Sequence, residues 1–569
     1  MSPHGTVKSA RGSANHTLAV PGVPSLSRAH KVINPAASDP VTIVTGAKLA
    51  LVFVAILLSQ LLTALDQTIL GTALPRIASD FRAFSLQGWV STSFVLSQTV
   101  FTLLFGQMVR IFAAKWILIA SIVVFEIGSV LCSVSQNVHQ LIAGRTIAGV
   151  GAAGMFIGML QVVAQVTRLE DRARLYGLFG ANFALSSVIG PLIGGALTDK
   201  VTWRWCFYMN LPLGAVSVTG VMFLLKALPP LGSDPTQRSP WEILRQTLRL
   251  DFLGVILAAG SVTCLILALQ WGGNIKPWGD KEVIICFVMA FVLGAVYVAW
   301  EVYMGERAMT PTAIYKSRSV WAILAYCFLT RFSFLIYSYY IPIFYQAALH
   351  HSAIKSGIDL LPFMLSLVLT IITIGQIVGK TGYLWPFLLV GPFFLATGSG
   401  LLYTLSTSSS SAQLVGFQIL AGVGTAMGMQ NSILAMQVEF RDAPTLIGQA
   451  TSMGCFAQFL GGTLGLGVAE PVFASELAKY LLIYAPDAPT EIVKESPTAI
   501  YTALPAAMIS GVIRSYIQAL RVVFLLGVPV AGLALLSVFF MHNLKVEKAK
   551  VPPVAEEAHT ENITDEASK

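Results

Sequence analysis

Residues Gly190–Gly214 read GPLIGGALTDKVTWRWCFYMNLPLG. A proline follows a glycine inside an apolar run, and a second glycine pair, Gly194-Gly195, stands close behind. In water such a run makes a poor helix, with proline costing about 3 kcal/mol and glycine about 1 kcal/mol relative to alanine. In lipid the same residues let two helices approach closely, and neighbouring helices satisfy the backbone groups that proline frees. The stretch then passes through a short polar turn into Trp203, Arg204, Trp205 and Tyr208, a cluster that suits an aromatic belt at a membrane surface. Composition points the same way. Of 569 residues, 55% are hydrophobic and 11% charged, against about 25% charged in soluble domains.

Working outward from this stretch, spans of about 20 apolar residues are the natural unit. Fourteen segments are predicted: 48–74, 89–110, 116–135, 139–164, 173–198, 204–226, 252–272, 283–304, 319–347, 356–379, 383–405, 412–436, 446–474 and 521–542. They divide the chain into a polar tail (1–46), a six-helix bundle (47–226) and a linker with two inserted helices (227–304). A second six-helix bundle (305–543), with an irregular outer loop over 475–520, leads into a charged tail (544–569). Both tails read as disordered.

The net charge of +8 does not form a basic patch, so nucleic acid is not an expected partner. Lys and Arg instead fall mainly in alternate loops, which puts both tails in the cytosol. The sequons at Asn15 and Asn562 are therefore expected to stay unglycosylated. Six cysteines are spread over apolar segments with no close pair, so neither a disulfide framework nor a zinc site is expected. No metal or other cofactor is expected.

Two strings repeat. Ile147–Met155 reads IAGVGAAGM in segment four, and Leu420–Met429 reads LAGVGTAMGM in segment twelve. A parallel duplication of six spans places them at equivalent positions, with Gln418 opposite Arg145. Gly149, Gly151 and Gly154 also match a dinucleotide fingerprint, G-x-G-x-x-G. That fingerprint needs a strand before it and a helix after it, whereas here it lies within an apolar helix. Close packing through small residues is the reading adopted. No G-x-x-x-x-G-K-[ST] phosphate loop occurs.

Several motifs stand in order along the chain: LDQTILGTALPRI (65–77), GRTIAGVGAAG (144–154), the opening stretch, DFLGVILAAG (251–260), and YYIPIFYQAALHHSAIKSGIDLLP (339–362). Together they resemble the Major Facilitator Superfamily, in particular its fourteen-span drug:proton antiporter-2 branch. The resemblance implies an all-α membrane fold of two six-helix bundles plus two extra helices. It also implies a non-enzymatic, proton-coupled exporter of a small amphipathic toxin, drug or secondary metabolite. One departure is plain. The loop after segment two usually reads G-x-L-x-D-R-x-G-R-K, and here it is GQMVRIFAAK: Gly106 and Lys115 persist while Arg110 takes the acidic position.

An ionisable group within a span costs about 2.5–3.5 kcal/mol on insertion scales and usually faces a cavity or a partner. Asp66 and Arg145 are the candidates for proton coupling; Asp66 alternatively bonds Thr68 or Thr72, and Arg145 alternatively pairs with helix-end carbonyls. Arg331 and Glu126 are weaker candidates. Gly180, Gly190, Pro191, Gly194 and Gly195 correspond to the antiporter motif and are expected to bring segment five against the other bundle. Gln98, Asn182, Tyr337, Tyr340, Gln346, Gln430 and Asn431 are candidates for a substrate cavity, since amides and aromatics suit amphipathic ligands. Gly106, Arg110 and Lys115 form the gating loop. Expected partners are the substrate, protons and the lipid bilayer, and a monomer is expected. The plasma membrane is the expected location, with a vacuolar membrane as alternative. A carrier for uptake or vacuolar import of amino acids, siderophores or organic acids is the second reading. A receptor without transport is the third.

Overall fold

In a computed structural model, residues 45–81, 86–233, 239–273, 276–489, 493, 500–501 and 504–546 are described. Most of the two expected tails, both sequons and part of the expected outer loop lie outside the described residues. The described chain is helical, and its bridges are isolated (Gly272 with Lys276, Tyr383 with Lys545). Among the described residues, fourteen helical stretches are long and apolar enough to cross a membrane.

The first bundle comprises α1 (Gly46–Phe81), α2 (Gln87–Met108), α3 (Ala114–Ser133), α4 (Val138–Val166), α5 (Leu169–Lys200), the one-turn α6 (Trp205–Tyr208) and α7 (Asn210–Leu224). A short surface helix, α8 (Pro240–Thr247), leads to the inserted pair α9 (Phe252–Trp271) and α10 (Lys281–Met304). The second bundle comprises α11 (Arg318–Leu349), α12 (Ala353–Asp359), α13 (Leu361–Thr381), α14 (Trp385–Tyr403), α15 (Ser411–Glu439) and α16 (Pro444–Tyr484). Its last span is α17 (Ala506–Leu525) continued by α18 (Gly527–Val538). Here "inner" denotes the ends that carry the basic excess.

The repeat is a repeat of packing. Asn137 caps α4 by accepting from the Gln140 N–H, and Ser410 caps α15 by accepting from the Gln413 N–H. On α4, Gly149 lies against Ser97 and Phe94 of α2; on α15, Gly422 lies against Ser366 and Phe363 of α13. A Cβ at either glycine would overlap its neighbours, so only glycine permits these crossings. The bundles then meet through α5 on α13 and α2 on α16. The inserted helix α9 packs on both α2 and α16 and so covers one seam between the bundles.

Two expectations are corrected. The outer loop is shorter than 475–520, because α16 runs on to Tyr484 and helix resumes at Ala506. Residues 506–520 are amphipathic and bury Val512, Tyr516 and Leu520 against the bundle while carrying Arg514 outward, so they fall below an apolar-run criterion. Trp203 is not part of an exposed belt. It is buried, donates from Nε1 to Asp80 Oδ2 at 2.9 Å and meets Phe81 edge to face. Trp205 is the exposed member of that cluster.

Candidate functional site

Asp66 and Arg145, the two candidates from separate motifs, form one ion pair. Arg145 Nη1 donates to Asp66 Oδ2 at 2.5 Å, and both side chains are sealed from solvent. Helix α1 carries the acid and α4 carries the base. The guanidinium lies over Phe94 of α2 at 4.3 Å and donates from Nε to the Val90 carbonyl at 3.2 Å. Thr68 instead donates to the carbonyls of Ala64, Leu65 and Ser186, and the side chain of Thr72 lies outside the described residues. The second carboxyl oxygen, Oδ1, accepts from Asn210 Nδ2 at 3.2 Å, and the same amide donates to Ser129 Oγ of α3 at 3.1 Å. One charge pair thus ties together α1, α2, α3, α4 and α7. A buried pair of this kind adds little net stability, yet losing one member strands a charge.

The motif glycines act at two different contacts. Gly190 does not meet the other bundle. Its backbone lies on Thr68 and Ile69 of α1, one helical turn from Asp66, where Thr68 Oγ1 donates to the Ser186 carbonyl of α5 at 2.9 Å. Gly180 does meet the other bundle, at Ile371 of α13, and Gly177 lies beside it against Ile372. Pro191 is inside α5, Gly194 is buried, and Gly195 has open space where a Cβ would stand.

The expected cavity residues are not gathered into one site. Tyr337 is buried within the second bundle, bonded to Ser399, and Tyr340 is buried beside Phe473. Gln346 donates to Ser356 Oγ, Asn182 to the Leu57 carbonyl, and Gln98 is buried in α2. Each amide or phenol so held is satisfied within its own bundle. Gln430 and Asn431 do lie at the seam, in a crevice with Ala173, Tyr176 and Ile371.

The inner ends of the bundles are clasped. Arg110 donates to Gln449 Oε1 of α16 at 2.7 Å, while Gln449 Nε2 donates to the carbonyls of Ala308 and Met309 at 3.2 and 3.3 Å. Gln107 donates to the Arg307 carbonyl at 2.7 Å and accepts from the Asp251 N–H. Gly106 brings α2 close enough to touch Ser452 and Gln449. Burial pulls the Arg110 guanidinium below its usual value, opposed by the nearby Glu306 charge. Lys115 instead holds the Met222 and Leu225 carbonyls at the end of α7, both at 2.7 Å. A second clasp joins α5 to α15, where Arg172 Nη1 donates to Gln437 Oε1 and Gln437 Nε2 donates to the Tyr176 hydroxyl. The loop that departs from the usual motif therefore makes an amide-based clasp in place of an acidic one. Gln449→Leu keeps the volume and deletes both sets of bonds. It should shift the protein toward an inner-open state by about tenfold, for roughly 1.4 kcal/mol of lost hydrogen bonding. Maleimide labelling of a cysteine placed at Ser452 reads this as faster reaction.

Asn210, Ser129, Gln437 and Gln449 escaped sequence reasoning. Their only signal is an amide or hydroxyl in an otherwise apolar run, which many satisfied side chains share.

Comparisons with known proteins bear on this arrangement. The Major Facilitator Superfamily profile matches residues 56–466. The MFS-type transporter phomT of Diaporthe leptostromiformis is 40% identical over 438 residues, covering 77% of this chain and 73% of its own. The MFS-type efflux pump MFS1 of Arthroderma benhamiae is 36% identical over 518 residues, covering 91% and 95%. Among solved structures, a bacterial homologue of the human lysosomal transporter Spinster aligns with a TM-score of 0.53 at 13% identity, covering 89% of this chain and 100% of its own. The proton:xylose symporter XylE aligns at 0.54 and 12%, covering 84% and 94%. These last two show a shared fold. With its two bundles, inserted helix pair and fourteen spans, the chain belongs to the Major Facilitator Superfamily and is a multi-pass membrane transporter, not an enzyme.

Proposed function

We propose that this protein is a proton-coupled exporter of a small amphipathic molecule, working as a monomer by alternating access, with the plasma membrane as its setting. The buried Asp66–Arg145 pair carries the reading, because a charge pair within a span is retained where charge must change. Relatives named as efflux pumps support the outward direction. Protonation of Asp66 would cancel its attraction for Arg145 and release Asn210 from its charged acceptor. The change lies one turn from the Thr68–Gly190 contact, so α5 receives it directly. Helix α5 in turn carries Gly177 and Gly180 against α13, and Arg172 and Tyr176 against Gln437. Proton binding on one bundle thereby acts on the seam between the two.

The available energy suffices. A proton entering down an inside-negative potential of about 150 mV releases roughly 3.5 kcal/mol, and two pH units add about 2.7 kcal/mol. The test uses inside-out vesicles with an acidified lumen. A transported dye should accumulate in the lumen and leave when a protonophore is added. Movement out of the lumen would favour the uptake carrier, and accumulation that ignores the gradient would remove the proton coupling.

A further inference from the structure

Arg145, Arg110 and Arg172 each have a strong acceptor: a carboxylate for the first, amide oxygens for the others. Arg331 does not. It lies near the middle of α11, partly buried, and its hydrogen bond is from Nη1 to the thioether of Met429 at 3.8 Å, a weak acceptor. No acidic side chain among the described residues pairs with it. Its guanidinium lies over the Phe334 ring at 4.7 Å, and its stem runs past Gly462 of α16, where a Cβ would stand 3.1 Å from Arg331 Cγ. Glycine at 462 therefore leaves the channel that the side chain occupies.

The position of this cation is set by the seam. Phe334 meets Phe183 of α5 edge to face, with ring centroids 6.2 Å apart. One turn before Gly462 on α16, Phe459 meets Phe156 of α4 in the same manner at 5.4 Å. Arg331 thus lies on one aromatic contact that bridges the bundles, and the α16 glycine beside its stem stands one turn from a second. A guanidinium held there without a counter-charge is a site waiting for an oxyanion, and its planar donors fit a carboxylate well.

We infer that Arg331 anchors the carboxylate or phenolate of an anionic amphipathic substrate, whose apolar body lies among Phe156, Phe183, Phe334 and Phe459. This rests on the exporter reading and adds to it the charge class of the cargo. The anchor differs from the Asp66–Arg145 pair, which is already neutralised and sealed.

The test holds the ring system constant and varies the head group: 9-anthracenecarboxylate, its methyl ester and 9-(aminomethyl)anthracene. Each is offered to the full chain in proteoliposomes, with binding and outward transport both followed by fluorescence. Wild type should bind the carboxylate about tenfold more tightly than the ester or the amine. Arg331→Gln should lose about tenfold for the carboxylate while leaving the ester unchanged, and Arg331→Lys should keep part of the preference. Equal binding of all three probes by wild type overturns the inference, as does an unchanged carboxylate affinity in a folded Arg331→Gln. Should that variant fail to fold, the wild-type series and the Lys variant still decide. Carboxylate binding that needs Arg331, without any proton-driven movement, would sink the exporter reading and leave the anion site standing. Proton-driven transport blind to the head group would do the reverse.

Discussion

Asp66→Asn should abolish the response of transport to an imposed pH gradient, and it should also destabilise the protein. The substitution keeps the shape of the side chain but leaves Arg145 buried over Phe94 with a carbonyl and an amide for company. Breaking a buried pair from one side costs about 3–5 kcal/mol, because the survivor keeps its charge. Lower yield and lower thermal stability are therefore expected of the single variant, and reduced transport alone would not identify a proton site. The double variant Asp66→Asn/Arg145→Gln separates the two effects. Two neutral amides of similar volume can bond each other and Asn210, so stability should return toward wild type. Proton-driven accumulation should not return, whereas exchange of labelled for unlabelled substrate at equal pH should. A double variant that still tracks the pH gradient would place the coupling proton elsewhere. Arg145→Gln alone strands Asp66 instead, but a buried carboxyl can take up a proton and a guanidinium cannot lose one, so Asp66→Asn should be the least stable of the three.

This pair also marks the limit of what the sequence discloses. Each residue was legible by itself, since an ionisable side chain in an apolar span demands an explanation. Their meeting was not, because 79 residues separate them and periodicity says nothing about which helices become neighbours. The two-bundle architecture was legible for a related reason: the glycine strings on α4 and α15 repeat because the crossings they permit repeat. Of the cavity candidates, Gln430 and Asn431 lie at the seam, and the others scatter because residue type alone does not say which side chains already have partners. Tyr337 satisfies its hydroxyl on Ser399 and Asn182 its amide on Leu57, and neither bond could be inferred from spacing. The start of the last span was missed because its first helix, α17, carries Arg514 and Arg521 on a polar face while its apolar stripe packs inward. Hydropathy averaged along the chain cannot see a stripe.

Gly190→Leu and Gly180→Leu, only ten residues apart on α5, should fail in different ways. At Gly190 even a Cβ would overlap Thr68, and it would stand 3.2 Å from the Ile69 backbone nitrogen. Thr68 cannot swing away without giving up its bond to the Ser186 carbonyl. The bulk must then part α5 from α1 within the first bundle, in every state of the cycle. Overpacking of this kind costs about 1–3 kcal/mol, so Gly190→Leu should lower the melting temperature and weaken pH coupling together. At Gly180 the neighbour is Ile371 Cδ1 of α13 at 3.0 Å, the far end of a side chain that can turn aside. That contact crosses the seam and exists while the inner ends are closed. Gly180→Leu should therefore fold at the wild-type level and penalise the inner-closed state alone. A penalty of about 1.4 kcal/mol makes the shift tenfold, read as faster maleimide labelling of a cysteine at Ser452 and as slower export. Labelling and export at wild-type rates in Gly180→Leu would remove α5–α13 contact from the gating mechanism. A Gly190→Leu protein as stable as wild type would show that α1 and α5 separate without cost, and the path from Asp66 to the seam would have to run through another helix.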